Sequence, residues 1–146
     1  MYRMIGKVCV VGLALMVSQL TLADAESELK YRKAVMKVVG GHMGSIGTIL
    51  RGGVHMEDLK LHANGMASIA QVAPHVFPEG TDTGKTNAKA NIWQEPEDFK
   101  MAMDKFVAAA DNFAVVANAG DMANIGGAVK QLGGSCKGCH DDYKKE

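Results

Sequence analysis

Apolar residues recur along this chain three and four positions apart, in four separate stripes of the kind that line one face of a helix. The first runs through Leu29, Met36, Val39, Met43, Ile46 and Leu50, with Arg32 as its one charged member. A weaker second stripe, Met56, Leu59, Ala63, Met66, Ala70 and Ala73, ends at Pro74 and Pro78, because proline removes a backbone donor and breaks the helix. From Pro78 to Thr86 the chain is rich in Gly, Thr and Asp and reads as a long loop. The third helix is expected to start near Pro96, with Glu97 and Asp98 at the positive end of its dipole. It should bury Phe99, Met103, Phe106, Ala110, Phe113 and Ala117 and stop at Gly120. Met122, Ile125, Val129, Leu132, Cys136, Cys139 and Tyr143 form the inward stripe of the fourth. No stretch alternates convincingly as a strand would, so the expected fold is all-α.

The N-terminus breaks this pattern. Arg3 and Lys7 precede an apolar run from Val8 to Leu22, and Ala23-Asp24-Ala25 offers the small-x-small pattern that signal peptidase reads. The run is short for a bilayer-spanning helix and contains Gly12, Ser18 and Gln19, which weighs against an anchor. A cleaved leader over residues 1–25 is expected, with a mature domain over residues 26–146 that is exported and not stably inserted in a membrane. Of the 146 residues 47% are hydrophobic and 22% charged, which suits one globular domain. Once Arg3, Lys7 and Asp24 are removed, 16 basic and 16 acidic residues become 14 and 15, and no basic patch marks a nucleic-acid partner.

Cleavage also removes Cys9, leaving Cys136 and Cys139 as the thiols of the mature chain. They stand in the run CKGCHDDY that begins at Cys136. On a helix, Cys136, Cys139 and His140 converge on one patch, two sulfurs and an imidazole within reach of a single planar ligand. CxxCH is the attachment pattern of c-type haem, in which each thiol adds to a vinyl group and the histidine binds the iron. Zinc would need four ligands, and His42, His55, His62 and His75 supply no second pair near a cysteine. A redox dithiol belongs at the start of a helix in a βαβ setting, whereas this pair lies near the end of a helix in an all-helical chain. Those four histidines read as surface residues, and Met43, Met66, Met103 and Met122 as core fillers, with Met43 the reserve candidate for an iron ligand.

With this motif near the C-terminus, Lys30-Tyr31-Arg32 followed by Met36 in the first helix, and Gly80, Thr81, Asp82 and Gly84 ahead of Ile92-Trp93, the chain resembles the class II c-type cytochromes, the cytochrome c′ family. The resemblance covers essentially the whole mature chain. It implies an antiparallel up-down-up-down four-helix bundle around one covalently bound haem c, often as a homodimer, in the bacterial periplasm. It also implies Cys136 and Cys139 as thioether residues, His140 as proximal ligand and Lys144 as the basic residue beside it. Arg32 would stand near the haem propionates, where a guanidinium suits a partly buried carboxylate.

Met36, one turn after Arg32, falls where the family lines the distal haem face. Val35, Met36, Lys37, Gly40 and Met43 resemble the low-spin branch, in which this methionine is the sixth iron ligand. In the high-spin branch apolar residues there pack against a vacant site. A thioether ligand makes a closed electron carrier serving redox partner proteins, which is the leading expectation. A vacant site admits small gases such as nitric oxide, which is the alternative. No enzyme is expected, because peroxidase-like chemistry needs a distal acid–base group and the first stripe offers only Arg32. Gly40, Gly41, Gly44 and Gly47 each cost about 0.5–1 kcal/mol against alanine in a helix, so something should approach closely: a neighbouring helix, a dimer partner or the haem.

Overall fold

The computed structural model describes the backbone of residues 17–146 and the side chains from residue 24 onward. Arg3, Lys7, Cys9 and most of the expected leader lie outside the described residues. Four long helices, α1 (Val17–Gly52), α2 (Leu59–Val72), α4 (Pro96–Ala119) and α5 (Ile125–Tyr143), form an up-down-up-down bundle, with a single turn, α3 (Asn91–Gln94), before α4. Among the described residues there is no strand, only an isolated antiparallel bridge between Ala88 and Lys144. No helix of the described residues is long and apolar enough to cross a membrane.

The stripes account for the core. α4 buries Phe99, Met103, Phe106, Ala110, Phe113 and Ala117 as its spacing predicts, and adds Ala109 and Ala114. It ends at Gly120, whose left-handed backbone (φ 69°) lets its own N–H reach Ala117 O and the next N–H, from Asp121, reach Val116 O. α2 turns Leu59, Ala63, Met66 and Ala70 inward, and α1 buries Ile46 with Ile49. α1 packs on α2, α2 on α4 and α4 on α5.

Several expectations at helix ends do not hold. Met122 is 51% exposed, because Asp121 accepts hydrogen bonds from Asn124 and Ile125 and holds a turn ahead of α5. Met56 is exposed too, in a 3-10 turn (Met56–Asp58) that precedes α2. Glu95 precedes proline and sits outside the helical region (φ −126°, ψ 58°), so α3 stops there and α4 begins afresh. The glycines of α1 are not needed by a neighbouring helix of this chain: a Cβ on Gly40, Gly41 or Gly44 would meet nothing within 4 Å.

Two substitutions test this packing by chemical denaturation. Phe113→Ala, at a site with 0% exposure, is expected to cost about 3–5 kcal/mol. Gly120→Ala adds a side chain that meets no atom, so its expected cost of about 1–2 kcal/mol isolates the left-handed backbone penalty.

Candidate functional site

The last turns of α5 deliver Cys136, Cys139 and His140 to one cavity of about 750 Å³. α1 supplies Met36, Val39, Gly40 and Met43 to its wall, and α4 supplies Phe99, Met103 and Phe106. α1 and α5 approach each other where a Cβ on Gly133 would stand 3.6 Å from Met43 Cε; elsewhere the cavity separates them. Arg32 and Lys144 line the same space, so all six residues singled out in the sequence meet there. Met43, read as core filler, is also on the wall, giving α1 two thioethers rather than one. A broader groove of about 940 Å³ runs along α4 and α5, with Glu95, Asp98, Asp141 and Asp142 on its walls beside Met101 and Ala102. It reaches Cys139 but neither Cys136 nor His140, so the smaller cavity is the site.

Arg32 is the buried charge on a cavity that Lys33, Lys85 and Lys144 also line. It is 4% exposed, and its guanidinium donates to Thr81 Oγ1, Thr81 O and Thr86 Oγ1, each at 2.9 Å. It also lies over the rings of Phe77 (5.0 Å) and Trp93 (5.6 Å). None of the ion pairs among the described residues involves it. Burial depresses its pKa, yet a guanidinium stays charged, so a buried cation stands here without a carboxylate. The hydroxyl acceptors Thr81 and Thr86 were not legible as partners; the only trace in the sequence is a threonine-rich loop with glycines.

The loop that carries them is tied down on both sides. Thr81 donates to Pro78 O, and Trp93 Nε1 donates to Phe77 O and Pro78 O. Next along, Lys89 N bonds Tyr143 O and Lys145 N bonds Asn87 O, which fastens this segment to the end of α5 beside His140.

The donor set selects a class of ligand. Cys136 and Cys139 are free and half-buried; burial pushes both thiols up, Cys139 to about 11 with Cys136 and Asp142 contributing. Protonated thiols do not suit a disulfide-exchange pair. Burial, reinforced by Lys144 and opposed by Asp141, holds His140 below the ordinary imidazole value, leaving a neutral ring with a lone pair to donate. Apolar walls, two thiols with an imidazole on one side and an unpaired buried cation fit a planar macrocycle bearing vinyl groups and carboxylates. Haem c has that chemistry.

Comparison with known proteins agrees. Residues 27–144 match the family model described as Cytochrome C′. Cytochrome c′ of Rhodospirillum rubrum is 40% identical over 131 residues, covering 85% of this chain and 86% of that protein. Among solved structures, cytochrome c prime from Shewanella frigidimarina superposes with a TM-score of 0.79 at 34% identity, over 84% of this chain and 97% of that one. A nitric oxide complex of a leucine-to-alanine variant of cytochrome c prime from Alcaligenes xylosoxidans superposes with a TM-score of 0.77 at 26% identity, over 84% and 96%. The matched residues span the four long helices and the CxxCH end of α5 alike, and the chain belongs to the cytochrome c′ family, whose members bind haem c.

Proposed function

We propose that the mature chain, exported to the periplasm after loss of residues 1–25, holds one haem c through Cys136 and Cys139, with His140 as proximal ligand and a distal face open to small gases such as nitric oxide. The observation that carries this reading is the convergence of Cys136, Cys139, His140, Arg32, Met36 and Lys144 on one apolar cavity. Bound there, haem supplies an iron that exchanges single electrons and accepts a small axial ligand. Arg32 offsets propionate charge at a buried edge, and Lys144 adds positive charge beside His140. Met36, Val39 and Met43 bring neither charge nor hydroxyl to a wall that α1 also lines with Arg32 and Lys33, and that apolar stretch favours neutral diatomic ligands over ionic ones. Of the two cations that α1 brings to the cavity, Arg32 is engaged by threonines and Lys33 is exposed, so binding and electron exchange are the proposed roles rather than catalysis. Redox partner proteins and a homodimeric state belong to the same proposal.

The expectation that Met36 binds the iron gives way here. Highly similar relatives carry the name cytochrome c′, and one matching structure holds nitric oxide. α1 presents Met36 and Met43 along the same wall, so its geometry singles out neither sulfur as a ligand. Ligation by Met36 is the second reading, favoured by its place on that wall.

Optical spectra of protein matured with a working haem-attachment system separate the two. A high-spin ferric spectrum, with a ferrous form that shifts on adding carbon monoxide or nitric oxide and a Met36→Ala variant that behaves alike, is expected. A low-spin spectrum with a far-red methionine band, unresponsive to carbon monoxide and lost in Met36→Ala, would hand the function to a closed electron carrier. Replacing both thiols, Cys136→Ala with Cys139→Ala, should abolish covalent haem, read as pigment that extracts fully into acidified organic solvent; pigment that stays with the protein would refute the attachment.

A further inference from the structure

The cavity that receives Cys136, Cys139 and His140 is lined by four cations, Arg32, Lys33, Lys85 and Lys144, and by no aspartate or glutamate. The chain as a whole balances 16 basic against 16 acidic residues, so this surplus is local. Arg32 is buried, whereas Lys33, Lys85 and Lys144 are exposed and form a rim. The three lysines come from three parts of the fold: Lys33 from α1, Lys85 from the loop ahead of α3, and Lys144 from the end of α5. Hydrogen bonds hold those parts around the opening, from Arg32 to Thr86 Oγ1, from Lys145 N–H to Asn87 O and from Lys89 N–H to Tyr143 O. None of the three lysines joins an ion pair among the described residues. Asp141 and Asp142, on the same turn of α5 as His140, line the separate groove along α4 and α5 instead. Haem c carries two carboxylates, so the four cations leave a positive surplus even with the cofactor bound.

We propose, on the haem reading above, that Lys33, Lys85 and Lys144 form the docking rim for a one-electron carrier protein with an acidic face, seated over the opening of the cavity. Charge complementarity of this kind raises the rate of encounter and fixes orientation more than it raises affinity, which suits a partner that must leave after each transfer. An exposed lysine is a hydrated, mobile charge whose pairing with a carboxylate is worth little by itself, so the complex is short-lived rather than tight. In each encounter the partner gives one electron to ferric haem, or takes one from ferrous haem, and no bond forms or breaks. Three exposed lysines around a concave opening fall short of the cluster of about four to eight that marks a surface for anionic membranes. The acids of the groove cannot serve the same partner, since like charges across an interface repel.

Stopped-flow reduction of the ferric haem-loaded protein by reduced plant-type ferredoxin, an acidic low-potential iron–sulfur carrier, tests this. Its second-order rate constant is expected to fall by roughly tenfold or more between about 0.01 M and 1 M salt, as the screening length shrinks from about 30 Å to 3 Å. Lys33→Gln with Lys85→Gln should slow it by roughly threefold to tenfold at low salt and flatten its salt dependence, while leaving unchanged both the haem spectrum and the rate with an uncharged hydroquinone. Oxidation of the ferrous form by a basic class I cytochrome c should quicken as salt is added; slowing instead would put docking on the acidic groove and overturn the assignment. Co-sedimentation with phosphatidylglycerol vesicles at about 0.15 M salt that the two lysine substitutions abolish, with ferredoxin kinetics unaltered, would give the rim to a membrane instead. The haem spectrum of the same samples keeps the two readings apart: a ferredoxin rate indifferent to salt and to both substitutions, with an intact c-type spectrum, defeats the docking alone, and pigment lost to acidified solvent defeats the attachment.

Discussion

Three of the four neighbouring helix pairs of this bundle close against each other, and the fourth, α1 with α5, is held apart by a cavity of about 750 Å³. Protein interiors are filled to crystal-like density, and enclosed core cavities cost roughly 24 cal/mol per Å³. Left empty and dry, a void of this size would outweigh the net stability of about 5–15 kcal/mol that an ordinary domain has. Its opening to solvent lessens that penalty, and a bound haem c would fill the space as part of the core. This explains why Met36, Val39, Met43, Cys136 and Cys139 pack against the buried cluster while remaining partly exposed themselves.

Arg32 belongs to the same constraint. Three hydrogen bonds to Thr81 and Thr86 satisfy part of its donor fork, but they leave its charge uncompensated, and burying an unpaired charge is costly. A carboxylate on the cofactor would supply the missing counter-charge. The residue therefore has two tasks, anchoring the loop after α2 to α1 and setting the electrostatic sign at one edge of the cavity. Because the chain from Asn87 to Lys89 is bonded to Tyr143 and Lys145, that loop and the segment after it link the α1 side of the site to the end of α5.

The inner faces of α4 and α5 were legible because a helix repeats its surface every few residues, and eight of eight buried positions of α4 lie on one side of it. Gly120 was legible for a similar reason, since a left-handed residue at a helix end strongly favours glycine. Met56 and Met122 were misread because helix ends are decided by competing local hydrogen bonds, such as those Asp121 accepts, and apolar spacing does not register them. The turn α3 escaped because four residues are too few to show a period. In the site, the thiols and His140 followed from CxxCH, whereas the role of Met36 did not, since the same thioether on the same face serves either ligation or packing.

By itself the sequence determined what is periodic or contiguous: four helices, their buried faces, and two thiols with an imidazole on one patch of α5. These follow from bond geometry within a few residues, which no distant neighbour alters. The tertiary structure alone decided which residues meet across the bundle: Arg32 with Thr81 and Thr86, His42 with His62, and α1 facing α5 across a gap instead of packing against it. Such meetings depend on the crossing and axial register of whole helices, set by the sum of many weak packing contacts, and no local pattern encodes that sum.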